Sequence, residues 1–414
     1  MAGEVRYLVM VTQNNNNKFY KQTKLDDYYW EAEYGRIGGS VTKVRYPMHT
    51  WESKYNEKIR KGYTDNTHLI ESAIEEKNDN KTPYKEIENA AIAEIVDRLQ
   101  KMARKAISDN YTVSSTIVTQ ASIDAAQKII NSLVEAKTIA KFNSLLMELF
   151  QVIPRKMSTV TNYVAKKKED FSYIITREQA LLDTMKTQVE QDALLKKKQI
   201  EEAKEKNKEN QKENTILEEL GLVFEECDSE DIAKIQMALG DSVDKLRRAW
   251  KVTNIQTQKK FDDFVKENEI KETKMLFHGS RNENWWSIIS SGLALKPTNA
   301  VITGKLYGMG IYFAPKARKS VGYTSLQGSY WARGSSDVGY MALMEVAYGT
   351  PYDVYDFNSK YHSLNYNELQ KFKKGANCLH AHAGASMGYS SLRNDEIVIY
   401  KEEQCTIKYL VEIA

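Results

Sequence analysis

The stretch LFHGSRNENWWSIISSGLALKPTNAVITGKLYGMGIYFAPKARKSVGY, residues 276–323, decides the reading of the chain. The apolar run Met275, Leu276, Phe277 ends at His278-Gly279-Ser280, which predicts a short strand entering a tight polar turn. Further on, Gly304, Gly308 and Gly310 crowd in front of Ile311–Ala314, a loop feeding a second strand. Alone, a His-Gly-Ser triplet or a glycine-rich loop carries little information, because both are common turn chemistry. Their order and spacing carry more, together with a third element near the end of the chain, Asp395-Glu396-Ile397-Val398-Ile399-Tyr400.

Read together, HGSR, GMGIYFA, KSVGY and NDEIVIY resemble the catalytic domain of the poly(ADP-ribose) polymerases over about the last third of the chain. That resemblance implies an α+β ADP-ribosyltransferase fold with a split β-sheet, spanning residues 215–414, and NAD consumed as substrate without a metal. It maps the family's His-Tyr-Glu triad onto His278, Tyr312 and Glu396. Gly279 and Ser320 are expected at the nicotinamide carboxamide, Tyr312 and Tyr323 on the two faces of the ring, and His278 with Ser280 at the adenine-side ribose. Glu396 is expected to hold the nicotinamide ribose, stabilise the developing cation and orient or deprotonate the acceptor hydroxyl. Its presence favours polymer growth over single transfer. Met309 stands where the family's loop often carries Lys, and Ala294 where DNA-dependent members often carry Arg; Lys296 or Lys305 is the candidate replacement charge.

Outward from this block, the composition describes a folding, multidomain chain. Its 414 residues exceed one ordinary core, and 42% hydrophobic with 28% charged residues is typical of a globular protein. A net charge of +3 means that any nucleic-acid site has to come from local clustering. The opening MAGEVRYLVMVTQ lacks the pattern of a signal peptide and no apolar run is long enough to span a bilayer, so we expect an intracellular protein with no membrane partner, nuclear in a eukaryote and cytoplasmic or nucleoid-associated in a bacterium. Cys227, Cys378 and Cys405 are far apart with no CxxC pair, which argues for reduced structural thiols. His380-Ala-His382 has the spacing of a metal pair on a strand face, but no accompanying carboxylate or Cys pattern supports it, and a loop pair near the active site is the expectation.

Residues 1–80 read as a small antiparallel sheet: the apolar run 5–13, a polar turn at Asn14–Asn17, and aromatic-rich segments before Gly35, Gly38 and Gly39. Between Arg36 and Tyr63, seven cations face only Glu52 and Glu57, interleaved with Tyr46, Trp51 and Tyr55. Such a surface suits a nucleic-acid end, with phosphates on the cations and a base or sugar on a ring; equally, the rings could build a small core under a solvated basic face. The pieces NKFYK, EYGRIGG and RKGY look like a WGR domain, a DNA-sensing module, with Tyr34 in place of the signature Trp. The resemblance implies that Tyr34, Arg36, Lys43 and Arg45 contact DNA ends or breaks.

Between these blocks, apolar residues at helical spacing predict a bundle over residues 85–195: Ile87 to Met102, then Ile123, Ala126, Ile129, Ile130 and Leu133, then 139–150 and 181–195. Its order of elements is similar to the all-α regulatory domain of DNA-dependent polymerases, which implies autoinhibition. KKKQIEEAKEKNKENQKEN, residues 196–214, is a charged linker, a solvated helix or a tether. The resulting expectation is DNA-break-stimulated transfer of ADP-ribose to proteins, the chain itself included, with elongation. A mono-ADP-ribosyltransferase or NAD glycohydrolase using the same site is one alternative, and a catalytically inactive DNA-binding adaptor is another.

Overall fold

The computed structural model describes residues 3–67, 84–113, 115, 118–204, 214–295, 306–356, 358–387 and 391–414. Compactness divides the chain into two units, residues 1–82 with 104–207 and residues 83–103 with 208–414. Lys296 and Lys305, the candidate NAD-phosphate cations, lie outside the described residues.

The first unit opens with the antiparallel sheet expected from its alternation. Strands β1 (Val5–Thr12), β2 (Asn16–Lys24), β3 (Tyr29–Arg36), β4 (Val41–Pro47) and β5 (Thr64–Asp65) pair in the order β4-β3-β2-β1-β5. One face buries Leu8, Tyr20, Trp30 and Ala32 under helix α1 (Trp51–Arg60), whose Trp51 meets Trp30 edge-on at 5.6 Å. That helix was hidden in the sequence by its polar character: only Trp51 among its residues is buried.

In the same unit, α3 (Gln120–Val134), α4 (Ile139–Val152) and α5 (Asp170–Lys204) form a helical core, but the bundle expected over residues 85–195 is divided, because the apolar stripe from Ile92 to Ala103 packs into the core of the second unit instead. Each of the first two starts where a threonine side chain accepts an otherwise orphaned amide, Thr119 from Ser122 and Thr138 from Lys141. Ile123, Ala126, Ile130 and Leu133 are buried along α3, and Phe142 stacks on Phe171 at 3.8 Å. Helix α5 runs through Lys204, into the stretch read as linker, and residues 205–213 are outside the described set.

Helix α2 (Ala90–Asn110) is shared between the two groupings, because Ile92, Ile95, Val96, Leu99 and Ala103 join the core of the second unit beside Trp250 and Ile413. A buried carboxylate fastens it there. Glu412 accepts from Arg98 at 2.9 Å, Arg248 at 3.2 Å and the Tyr340 hydroxyl at 2.7 Å.

The rest of the second unit is two sheets. One has the order β6 (Leu222–Glu226), β7 (Leu246–Asn254), β14 (Cys405–Ile413), β10 (Gly339–Ala347), β8 (Thr273–Gly279); the other has β11 (Pro351–Val354), β12 (Cys378–Ala381), β13 (Glu396–Ile399), β9 (Ile311–Phe313). The strand β10 is buried on both faces, which explains its continuous apolar run. The sheets meet where Phe277 and Ala314 exchange backbone hydrogen bonds of 2.8 and 3.0 Å. Beyond that single bridge β8 and β9 part, leaving a split lined by the ends of both strands. Around the sheets lie helices α6 (Ser229–Leu239), α7 (Ile255–Glu267), α8 (Trp285–Ser291) and α9 (Ala317–Val321), with two further short helices at Ile216–Glu219 and Tyr366–Phe372. Among the described residues no helix is long and apolar enough to cross a membrane.

Candidate active site

The split between the sheets collects the residues that the motifs single out. His278 and Gly279 end β8, Tyr312 is the middle residue of β9, and Glu396 begins β13, the strand paired with β9. Across the split, a His278 ring nitrogen lies 3.1 Å from the carbonyl oxygen of Tyr312, and the ring packs against Phe313 and Trp285. This carbonyl requires the proton on Nδ1 when the imidazole is neutral, leaving Nε2 as an acceptor.

Gly279 shows why this strand end cannot carry a side chain. A Cβ there would stand 2.0 Å from the Ser320 carbonyl oxygen, so the end of β8 and helix α9 approach closer than any other residue type allows. The contact brings Ser320, itself buried, beside the Gly279 backbone. Ser280 accepts from the Asn284 amide at 3.0 Å.

Tyr312 is held by its hydroxyl, which donates to the Gly308 carbonyl at 3.1 Å and accepts from the Tyr307 amide at 3.0 Å. Gly308, at φ +74°, keeps this loop against Leu364. Burial and nearby ionisable groups, Glu396 among them, push the Tyr312 phenol well above its ordinary pKa. Tyr307 and Tyr323 are raised too, by burial and then by the same carboxylate. The Glu396 charge is therefore felt by all three rings, and all three phenols remain neutral donors at physiological pH. The Tyr323 ring lies nearly parallel to the exposed Trp331 at 6.1 Å, and the Trp331 and Ala332 amides both donate to Gly322.

Two residues escaped the sequence reading. Lys319, the neighbour of Ser320 on α9, forms an ion pair with Glu396, their side chains only 14% and 13% exposed. Its signal lay inside the KSVGY motif, one position before the serine. Trp331 lies beyond the motif, 61% exposed, with its ring against the Tyr323 ring.

The histidine pair also differs from expectation. His380 is on strand β12, not in a loop, and carboxylates do accompany the pair: His380 faces Asp395 at 2.9 Å and His382 faces Asp353 at 2.8 Å. Asp353 comes from β11, which pairs in parallel with β12 and sets Asp353 opposite His380.

Of the residues expected at DNA, Tyr34 and Arg36 share one face of β3, whereas Lys43 and Arg45 are registered against Glu33 and Glu31 on the other. Lys43 pairs with both glutamates, and Arg45 stacks on Tyr29 at 4.0 Å near Asp26. Arg36 reaches the backbone and side-chain oxygens of Asn15 at 2.9 Å each. Tyr34 stacks on Tyr20 at the rim of the small core, so part of its surface is spent on packing. On that face Lys58 sits over Tyr20 at 4.3 Å and near Tyr34 and Tyr63. Burial lowers the Lys58 pKa; Glu57 opposes the shift, and the charges of Lys61, Lys54 and Lys18 deepen it. A lysine-rich group around three tyrosines thus lies on the Tyr34 face.

Comparison with known proteins bears on the catalytic half. Residues 228–414 match the poly(ADP-ribose) polymerase catalytic domain. A protein of invertebrate iridescent virus 6 named as poly(ADP-ribose) polymerase-like, 100L, is 32% identical over 180 residues, which cover 42% of this chain and 90% of that one. The chain belongs to the poly(ADP-ribose) polymerase family. Uncharacterized protein 101L of the same virus is 31% identical over 188 residues, covering 45% of this chain and 77% of that one. The poly(ADP-ribose) polymerase 2 of Arabidopsis thaliana is 29% identical over 168 residues, covering 37% of this chain but 25% of its own length. The two sheets of the second unit, with their helices, fit the ADP-ribosyltransferase fold, and the family domain uses NAD as substrate and transfers its ADP-ribose.

Proposed function

We propose that the chain moves ADP-ribose from NAD to protein acceptors, itself included, extends the product into poly(ADP-ribose), and is stimulated by DNA ends or breaks. The observation that carries this reading is the convergence of His278, Tyr312 and Glu396 on the split between the sheets, with Lys319 paired to the glutamate. The bond broken joins nicotinamide to ribose, the nicotinamide leaves as a neutral base, and the transition state is an oxocarbenium ion, as in glycoside cleavage. Tyr312 and Tyr323 supply flat, neutral faces for the ring; the Gly279 backbone and the Ser320 hydroxyl supply carboxamide partners; His278 and Ser280 hold the adenine-side ribose. Glu396 holds the ribose hydroxyl, opposes the developing positive charge and steers the acceptor hydroxyl, whose oxygen forms the new bond as its proton departs. Lys319, paired with the carboxylate, keeps it placed until the acceptor enters.

DNA dependence draws support from the lysine group around Tyr20, Tyr34 and Tyr63, where phosphates would relieve like-charge repulsion. On this face Lys58, seated over the Tyr20 ring, and Arg36 are the leading candidates, since Lys54 and Lys61 share Glu57 just as Lys43 shares Glu31 and Glu33 and Arg45 lies near Asp26. Control is assigned to helix α2, whose first half is clamped to the catalytic sheet through Arg98 and Glu412.

The test is nicotinamide release and product size for the native chain and Glu396→Gln, with and without a 5′-phosphorylated DNA break. We expect a DNA-stimulated polymer ladder from the native chain, and from the variant no elongation with NAD binding retained. An unchanged ladder from the variant refutes the role of Glu396. Activity indifferent to DNA removes the sensor while leaving the transferase, and a single-transfer product returns the mono-ADP-ribosyltransferase alternative.

A further inference from the structure

Beside the catalytic strand lies a second cluster that the transfer reaction does not use. Asp353, His380 and His382 each offer a donor atom, and these three atoms lie within 4.8 Å of one another. The imidazoles of His380 and His382 stack at 4.0 Å with 20° between their planes. Each hands one ring nitrogen to a carboxylate: His380 Nε2 meets Asp395 at 2.9 Å, and His382 Nε2 meets Asp353 at 2.8 Å. The remaining ring nitrogen of His380 is engaged by the Tyr348 hydroxyl at 2.8 Å, and the second oxygen of Asp395 accepts from the Ala383 amide at 2.9 Å.

We propose that Asp353, His380 and His382 form a binding site for a divalent transition-metal ion of the zinc class, with Asp395 completing the shell. The donor set of two imidazoles and two carboxylates suits zinc and its neighbours, whereas magnesium and calcium prefer all-oxygen shells. Donors bound at roughly 2.0–2.2 Å in a tetrahedron stand about 3.3–3.6 Å apart, so the three donor atoms of Asp353, His380 and His382, within 4.8 Å of one another, need a contraction of at most about 1.2–1.5 Å. Metal entry exchanges the two imidazole–carboxylate hydrogen bonds for coordinate bonds from the same donor atoms.

Tyr348 and the Ala383 amide supply the outer partners that fix a ligating ring and a ligating carboxylate. The framework is rigid: Asp353 and His380 are cross-strand partners on β11 and β12, and β12 pairs with β13. Its limited exposure, 12% at His380 and 26% at His382, protects the site while leaving it an opening. Asp395 immediately precedes Glu396, so a bound ion would fix the backbone at the start of the catalytic strand.

The experiment uses the full chain, stripped with a chelator and titrated with Co2+ as a spectroscopic probe. The expected result is one equivalent bound with the strong visible bands of a tetrahedral shell, displaced by Zn2+ and untouched by Mg2+. Asp353→Asn, which keeps the shape of the side chain, and His382→Ala should each weaken binding at least tenfold, since even outer partners of metal ligands carry about that much. Absence of the bands at saturating Co2+, or an affinity unchanged in both variants, overturns the site.

Discussion

Gly279→Ala asks the most of the proposed pocket for the least chemical change. The added methyl carbon would fall 2.0 Å from the Ser320 carbonyl oxygen and 2.8 Å from the carbonyl carbon, both backbone atoms that no rotamer change can remove. Relief to 3.0 Å, the shortest approach real Cβ atoms make, requires β8 and α9 to separate by at least 1.0 Å. Those two elements carry His278, Ser320 and Lys319, so the displacement falls on both walls of the nicotinamide site together. Overpacking of this kind costs about 1–3 kcal/mol of stability. A misplacement near 1 Å costs about 10²-fold in rate, roughly 2.7 kcal/mol of barrier. The expected outcome is kcat/KM for NAD, read as nicotinamide release, lower by about two orders of magnitude. The assay is run well below the melting temperature of the variant, with near-ultraviolet circular dichroism confirming native packing. A variant whose kcat/KM stays within about threefold of the native value while its packing is intact would show that nothing about the reaction depends on this close approach, and the placement of nicotinamide at Gly279 would fail.

Lys319→Met removes the only cation paired with Glu396 among the described residues. Allowing for the residual solvent at the pair, we expect a loss of about 1–3 kcal/mol of stability and about 10–100-fold in turnover, with Lys319→Arg retaining most of both; chemical denaturation and steady-state kinetics of the two variants decide it, and a Met variant equal to the native chain in both contradicts the role given to Lys319. The cysteines respond to pH in a fixed direction. Burial pushes the thiols of Cys227, Cys378 and Cys405 up to about 12, so at pH 8 only about one in ten thousand is thiolate, and iodoacetamide should label the native chain slowly and the denatured chain readily; rapid native labelling at any of the three, followed by mass spectrometry, would contradict its burial.

What the sequence disclosed follows from the range over which each signal acts. Period-two and period-3.6 patterns are local, and they placed the N-terminal sheet, α3 and α4 close to where they stand, but of α5 (Asp170–Lys204) they marked only residues 181–195. The short motifs were legible because each is a strand end or a loop whose residues act together over a few positions. Helix α1 was not, since a helix that buries only Trp51 leaves no apolar stripe to read. The expected DNA residues depend on a register that the sequence left open. The observed pairing of Gly35 with Val41 sends Tyr34 and Arg36 to one face and Lys43 and Arg45 to the other, whereas a two-residue turn at Gly38-Gly39 would have set Tyr34 opposite Lys43 and all four on one face.

The remaining misses are of a different kind, because they concern which strand neighbours which. Asp353 is 27 residues from His380 in the chain and reaches it only because β11 and β12 run parallel, a pairing that needs an intervening crossover and leaves no trace in either strand. Lys319 meets Glu396 because α9 packs beside β8 while β13 pairs with β9, and the two sheets touch at the Phe277–Ala314 bridge. Residue identity makes such partners possible, but only the topology makes them neighbours. A sequence reading of this fold therefore recovers the groups that act within one segment and underestimates those that act between segments. The unexpected charge pairings in the second unit gather at β13 and its neighbour: Lys319 meets Glu396 at the start of β13, His380 on β12 meets Asp395 just before it, and His382 with Asp353 lies one strand further out, at β11. Strand β13 is central in its sheet and paired on both sides, so it is where non-local partners accumulate and where the chemistry beyond the motifs is to be sought.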